Sequence, residues 1–278
     1  MGLRISTNMA AMAANRALSK TSESLSKSYE RLSSGQRISH AGDDAAGLSI
    51  SENLRAQIRS MGQAERNASD GVSFAQVAEG GLNEVSNLLI RLRELAIQAA
   101  SDTVGDRERA FINNEAQSLI SEVDRIAQVT SFNGTSLLNG EGSKDILEFQ
   151  VGTRNDEADR IQFNVNENDV RASTLGIDGL NYEELDSARE ALDSIDGAMS
   201  NVFAARARLG AVQNKLHSTV NNLQINKENL SAARSRIADT DIAAETSELV
   251  RGNILQHAGI AVLSQANTAP QSVLKLLA

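Results

Sequence analysis

A mainly α-helical chain of long coiled-coil helices with one small β-hairpin is predicted by three observations: a single proline, apolar residues recurring at every seventh position over long stretches, and one short interval rich in Gly, Asn and Asp between two helical blocks. Among 278 residues the only proline is Pro270, so almost no strong helix breaker interrupts the chain. Aromatic residues make up 3 % against 41 % hydrophobic residues overall, which points to thin helical seams rather than a bulky globular core. The absence of cysteine excludes disulfides, thiolate metal sites and cysteine nucleophiles. The net charge of −9 comes from 36 acids and 27 bases mixed along the chain, without the basic block that a phosphate-binding surface needs, and nucleic acid is not expected as a partner. No apolar run approaches the ~20 residues that cross a bilayer. The opening residues lack the basic and apolar regions of a secretory signal, so an exported chain would need another route.

The first helix is predicted from about Thr7 to Gly35, with Leu18, Leu25 and Leu32 spaced by seven and Tyr29 on the same seam. Its apolar face is narrow, and burying a few leucines hardly offsets backbone ordering at about 1–2 kcal/mol per residue, so this segment needs a partner to fold. After a loop at Ser39 to Asp44, with Asp43 or Asp44 as N-cap, a long helix is predicted to about Ala100. Its seam is Leu54, Met61, Ala68, Ala75, Leu82, Leu89 and Ala96, with Ile58 and Val72 in the companion position. Small residues in that seam imply close helix contact. A break at Thr103 to Asp106 precedes a third helix, in which Ile112, Ala116, Leu119, Val123 and Ile126 keep helical spacing until a turn at Phe132-Asn133-Gly134. Two alternating stretches, Ile146 to Val151 and Arg160 to Val165, predict a hairpin joined by turn residues 152–156.

The C-terminal half holds the longest periodicity: Ala188, Ile195, Val202, Leu209, Leu216, Leu223, Leu230 and Ile237. Companion positions begin apolar at Leu185, Leu192 and Met199 and become Arg206, Gln213, Val220, Lys227 and Arg234, so the partner of this helix changes along its length. From Glu183 to Ile237 it would be roughly 80 Å long at 1.5 Å per residue. Asp239-Thr240-Asp241 predicts a stop and a fresh N-cap, then a terminal helix from Ile242 to about Asn267 and an apolar tail with Val273, Leu274, Leu276 and Leu277.

Chemical motifs are few. His40, His217 and His257 are scattered without metal-ligand spacing, so neither a metal site nor a cofactor is expected. Ser24-Leu25-Ser26-Lys27 matches a bare Ser-x-x-Lys pattern on a polar helix face, and the paired Asp43 and Asp44 read as caps rather than as an acid and a base. Gly140-Glu141-Gly142-Ser143-Lys144 lacks phosphate-loop spacing. Asn67-Ala68-Ser69 and Asn133-Gly134-Thr135 match the N-glycosylation triplet, the first inside a predicted helix. No catalytic constellation emerges, and the chain is not expected to be an enzyme.

In two blocks, about 1–140 and 182–278, the chain resembles bacterial flagellin. The N-terminal block carries Arg31-Leu32-Ser33-Ser34-Gly35, Asp43-Asp44-Ala45-Ala46-Gly47-Leu48 and Ala64-Glu65-Arg66-Asn67-Ala68-Ser69-Asp70-Gly71. It continues with Ala78-Glu79-Gly80-Gly81-Leu82-Asn83-Glu84-Val85, Arg93-Glu94-Leu95-Ala96 and Phe132-Asn133-Gly134. The C-terminal block ends in Gln265-Ala266-Asn267 and Pro270-Gln271-Ser272-Val273-Leu274. The resemblance implies a structural subunit that polymerises as a helical homopolymer into the flagellar filament for swimming, secreted by the flagellar type III apparatus to the extracellular filament. It also implies an export chaperone at the C-terminal helix, and cap and junction proteins as partners.

Polymerisation would run through coiled-coil positions Leu18, Leu25, Leu32, Leu209, Leu216, Leu223, Leu230, Ile237, Val273 and Leu274. Five segments are expected: an N-terminal core segment 1–42 that is disordered in the monomer, rod portions 43–140 and 182–238, a small β region 141–181 where longer members carry outer domains, and a C-terminal core segment 239–278. By position, the resemblance also implies that Arg91, Leu95 and Glu115 form a surface for Toll-like receptor 5. The competing expectation is a hook-filament junction protein or another flagellar axial protein.

Overall fold

The structure is a computed structural model that describes residues 7–140 and 146–277, with side chains as far as residue 268. Among the described residues are six helices: α1 (Met9–Ser34), α2 (Ala45–Ala99), α3 (Asp106–Val129), α4 (Ala172–Leu175), α5 (Leu185–Ala238) and α6 (Ile242–Leu277). Two antiparallel pairs join β1 (Ser131–Phe132) to β2 (Thr135–Ser136) and β3 (Ile146–Gln150) to β4 (Arg160–Asn164). The mainly α class with a small β element, expected from the proline count and the seven-residue spacing, is the fold observed. One difference lies in α6, which continues through Pro270 instead of ending near Asn267. The chain divides into two compact units, Met1–Ala56 with Asn229–Ala278, and Gln57–Glu228. The division falls inside α2 and α5, not at residues 42 and 239, because each long helix gives its end turns to the first unit.

In the first unit α1 packs on α6. Asn8 caps α1, its Oδ1 accepting from Ala11 N at 3.0 Å, and Gly35 ends the helix in the left-handed region, φ 70°, which glycine enters without a Cβ penalty. The α1 positions turned inward are Ala11, Ala14, Leu18, Thr21, Leu25, Ser28 and Leu32, alternating steps of three and four. Tyr29 lies outside this stripe and is exposed, because Ser28 holds the inner position in its place. Opposite lie Leu249, Gly252, Gln256, Gly259, Leu263 and Ala266 on α6. Leu25 fills the space over Gly252, where a Cβ would come within 2.8 Å of its Cδ2, and Leu18 lies over Gly259 at 3.4 Å by the same measure.

Beyond the helix ends, Gln36 bridges Asp239, Arg37 N donates to Ala238 O at 2.7 Å and Thr240 N donates to Gly35 O at 3.0 Å. Asp44 is the cap of α2, accepting from Gly47 N at 2.8 Å. Asp43 instead accepts from Ser39 N and His40 N, and that backbone donation holds its carboxyl below the usual range. Asp241 caps α6 through Ala243 N and Ala244 N.

The second unit has its own core. On α2 the buried stripe runs Ala68, Ala75, Ala78, Leu82, Val85, Leu89, Leu92, Ala96 and Ala99. The companion of each heptad residue is thus three positions on, not four as at Val72. On α5 the most deeply buried partners of Ile195, Val202 and Leu209 are Ala191, Ala198 and Ala205, while Leu192 and Met199 are half-buried flanks. Alanine permits closer backbone approach than leucine, so the tight side of the seam is its small side. Phe74 anchors the hairpins, meeting the rings of Phe132, Phe149 and Phe163 edge-on at 5.9, 5.4 and 4.9 Å. Arg109 is buried and satisfies the end of α2, donating to Ala99 O at 2.9 Å and Ser101 O at 3.1 Å. Before α5, Tyr182 is fully buried, and burial pushes its hydroxyl up to about 12.

The two α6 glycines separate close contact from helix propensity. Gly252→Ala is expected to lower the stability of α1–α6 pairing by about 1–3 kcal/mol, because the methyl meets Leu25. Gly259→Ala meets only ordinary contact and should gain about 0.5–1 kcal/mol of helix propensity. Circular dichroism melts of the two variants check this by their opposite signs.

Candidate assembly surface

α6 is covered by α1 along one stripe only. Its remaining positions include Val250, Ile254, Leu255, Ile260 and Val262, all exposed, Ile254 to 63 %. On α1, Met9, Met12 and Tyr29 are exposed among the polar residues Ser19, Lys20, Glu23, Ser26 and Lys27. An apolar helix with one face covered is a surface awaiting more cover. Hydrogen bonds order the pair at both ends: Asn8 Nδ2 donates to Ala266 O at 2.8 Å, and Ser28 Oγ donates to Glu245 Oε1 at 2.5 Å, with Arg31 3.7 Å from the same carboxylate.

The sequence-predicted assembly residues divide between the units. Leu25 is buried and Leu18 and Leu32 are half-buried in the α1–α6 seam, and Leu230 and Ile237 are half-buried on the end of α5. Leu209, Leu216 and Leu223 are buried in the second unit, Leu216 in a cluster with Ala68, Val72 and Val151, so these three hold the chain's own core. The side chains of Val273 and Leu274 lie outside the described residues. Sequence reasoning missed Asn8, Ser28, Glu245, Gly252, Gly259 and the outer face of α6. The glycines were legible as a seven-residue step matching that of the leucines.

The three positions carried over for receptor contact do not form one exposed face. Arg91 and Glu115 are half exposed and joined, Nη2 to Oε1 at 2.8 Å, and Arg91 Nη1 also reaches Glu94 at 2.9 Å. Leu95 is 2 % exposed and belongs to the core cluster of the second unit.

The other motifs are structural. Lys27 of the Ser-x-x-Lys pattern pairs with Glu23, and His40 lies 3.1 Å from Glu30. Asn67 is half-buried and donates to Gln150 O, while Asn133 is exposed in the β1–β2 turn with φ 49°. Residues 141–144 of the Gly-Glu-Gly-Ser-Lys loop lie outside the described residues. Among the described residues no helix is long and apolar enough to cross a membrane, and no group of three or more His, Asp or Glu is placed to hold a metal ion.

Paired terminal helices with an unfinished apolar face, together with a separately packed helical unit, define a self-associating structural subunit. The profile of the bacterial flagellin N-terminal helical region matches residues 5–143, and that of the C-terminal helical region matches residues 192–277. The chain belongs to the bacterial flagellin family, whose members are structural subunits of the flagellar filament, and it is a short member. It is 43 % identical over 273 residues to a flagellin of Halalkalibacterium halodurans, covering 98 % of this chain and 99 % of that one. It is 41 % identical over 287 residues to flagellin FlaB1 of Treponema pallidum, with coverage of 98 % and 99 %. Among solved structures, a Bacillus cereus flagellin aligns with TM-score 0.51 at 28 % identity, covering 61 % of this chain and 94 % of that one. A putative flagellar hook-associated protein from Vibrio parahaemolyticus, at 17 % identity and TM-score 0.58 over 71 % of this chain and 100 % of that one, shares the fold.

Exposed ion pairs make the stability of the second unit depend on pH. The Arg93 hydrogen bond at 2.7 Å lowers the Asp196 carboxyl from its ordinary 3.8, Arg125 lowers Glu122, and Gln224 with Lys227 lowers Glu65. A carboxyl lowered by folding contributes its stability above its unfolded value and loses it as pH falls through the folded one. Acid should therefore loosen this unit below about pH 4. Asp196→Asn is expected to lower the melting temperature at neutral pH and to lower it by less at pH 3, a difference that calorimetry at the two pH values measures.

Proposed function

We propose that copies of this chain polymerise into the flagellar filament by covering the outer apolar face of α6, with α1 as the chain's own first layer of cover. The observation that carries this reading is that Val250, Ile254, Leu255, Ile260 and Val262 are left exposed around a helix of which only one stripe is packed. Burial of such a face is worth about 25 cal/mol per Å², and a chain whose terminal helices complete one another's cover only in company gains most of it on assembly. On this reading residues 1–42 and 239–278 are the core segments, 43–140 and 182–238 the helical portions outside them, and 141–181 a small β region. Family membership supports the remainder: export by the flagellar type III apparatus as an unfolded chain, an export chaperone on α6, cap and junction proteins as assembly partners, and an extracellular, non-enzymatic product.

Ammonium sulfate added to purified monomer strengthens apolar burial and is expected to yield long uniform filaments by negative-stain electron microscopy. A chain lacking residues 1–40 should stay monomeric, and so should Ile254→Asp, which puts a charge into the covered face. Persistent monomers of the intact chain, even with seeds, would overturn the reading in favour of a junction role.

Recognition by Toll-like receptor 5 is the second reading, supported by the exposed Arg91–Glu115 pair. Arg91→Ala together with Glu115→Ala is expected to reduce receptor binding at least tenfold in a titration with the receptor ectodomain, a loss of about 1.4 kcal/mol. Undiminished binding by a folded double variant refutes the assignment.

A further inference from the structure

The ladders that pair α1 with α6 repeat every seven residues on both helices: Leu18, Leu25 and Leu32 on one, Gly252, Gly259 and Ala266 on the other. A slip by seven residues, about 10 Å at 1.5 Å per residue, would place Leu32 over Gly252, Leu25 over Gly259 and Leu18 over Ala266. Each leucine again meets a small residue. The apolar seam alone therefore does not distinguish the two registers.

The polar contacts do. Pro270 lies within α6 and has no N–H to donate to the carbonyl of Ala266, four residues before it. That carbonyl instead accepts Nδ2 of Asn8 at 2.8 Å, while Oδ1 of the same side chain caps α1. One asparagine thus closes one helix and fills the acceptor that a proline leaves open in the other. Toward the opposite end, Ser28 donates to Glu245 at 2.5 Å beside Arg31. Neither contact has a counterpart seven residues on, since no second proline follows and Ser28 would face Gly252.

We propose that Asn8, acting on the carbonyl left open by Pro270, and Glu245, acting on Ser28, are the specificity-determining residues that fix the register of α1 on α6. The rival determinant is the set of backbone bonds joining residues 35–37 to 238–240. The proposal concerns pairing within one chain and stands apart from whether chains polymerise.

The chain has no cysteine, so introduced pairs report the register directly. Thr21→Cys with Gln256→Cys reads the observed register, and Thr21→Cys with Leu263→Cys reads the slipped one. Both are made in the full-length chain and oxidised in whichever state, soluble or polymerised, the first pair forms its disulfide. In the parent only the 21–256 disulfide is expected. Adding Asn8→Asp with Glu245→Ala should bring in the 21–263 disulfide, and replacing Glu245→Ala by Glu245→Gln, which still accepts from Ser28, should suppress it. A 21–256 disulfide alone in the Asn8→Asp, Glu245→Ala chain assigns the register to the backbone bonds and overturns the proposal. Loss of both disulfides there means the two residues hold the helices together without choosing between registers, which overturns it equally.

Asn8→Asp alone separates the two roles of Asn8, because aspartate caps a helix as well as asparagine but cannot donate to Ala266 O. The expected result is a 21–256 yield reduced as far as by Asn8→Ala, and a yield equal to the parent's would leave Asn8 a cap and nothing more. Because the disulfide forms within one chain, failure to polymerise with the expected disulfides leaves the register proposal standing and refutes only the assembly reading.

Discussion

The contact on which the first unit depends is leucine packed over glycine. Gly252 offers no side chain, so α1 can approach the α6 backbone closely and seat Leu25 in the space provided, while Leu18 lies over Gly259 at ordinary contact distance. The same glycines weaken α6 as an isolated helix, by about 0.8–1.0 kcal/mol each relative to alanine. Pro270 weakens it further and leaves a carbonyl needing a donor. One set of residues therefore makes α6 a poor helix alone and a closely packed one in company, with Asn8 supplying the donor that its own backbone cannot.

The second unit is built on a different balance. Its core joins α2, α3 and α5 through alanines on the tight side of each seam, and the edge-on rings around Phe74 bring the two hairpins into the same core. Its bends are tied by side chains that reach across them: Arg109 to the end of α2, Gln117 Nε2 to Leu180 O at 2.7 Å, and Asp124 accepting from Ala172 N at 2.7 Å. These satisfy backbone groups that would otherwise be buried without partners. This unit has a packed core of its own, and Phe111, Val129 and Ile225 stay exposed on its surface.

Periodicity made the helices legible because burial in a long helix repeats with the turn. The limits of α2, α3, β3, β4 and α5 fall within a few residues of those expected from sequence. What it did not reveal is which flank of a seam is tight. Leucines mark a buried stripe conspicuously, but Ala191, Ala198 and Ala205 are buried more deeply than Leu192 and Met199, since small residues are what lets helices meet. Tyr29 misled for the related reason that an aromatic ring beside a leucine ladder reads as core, while the inner position belongs to Ser28, whose hydroxyl finds Glu245 across the pair. Leu95 shows the limit of transfer by position: the residue type matches, yet its side of α2 faces the core. Asn8 was invisible because its partner is a backbone carbonyl, which sequence does not mark except through a proline four residues later.

The uncovered apolar residues of α6 also bear on the form of an assembly. Were the outer face of α6 matched by an identical face related by a two-fold axis, pairing would close at a dimer and leave nothing to extend. One side of α6 is occupied by α1, and the other carries Val250 and Ile254. On the proposed reading copies extend into a filament, so a neighbour meets this face with a different surface of its own, and such a heterologous contact repeats without closing unless the rotation returns on itself. Register then matters beyond the single chain. A slip of α1 along α6 would shift the polar cover relative to the apolar row that neighbours use, so a pairing fixed by aperiodic contacts gives every subunit the same surface to offer.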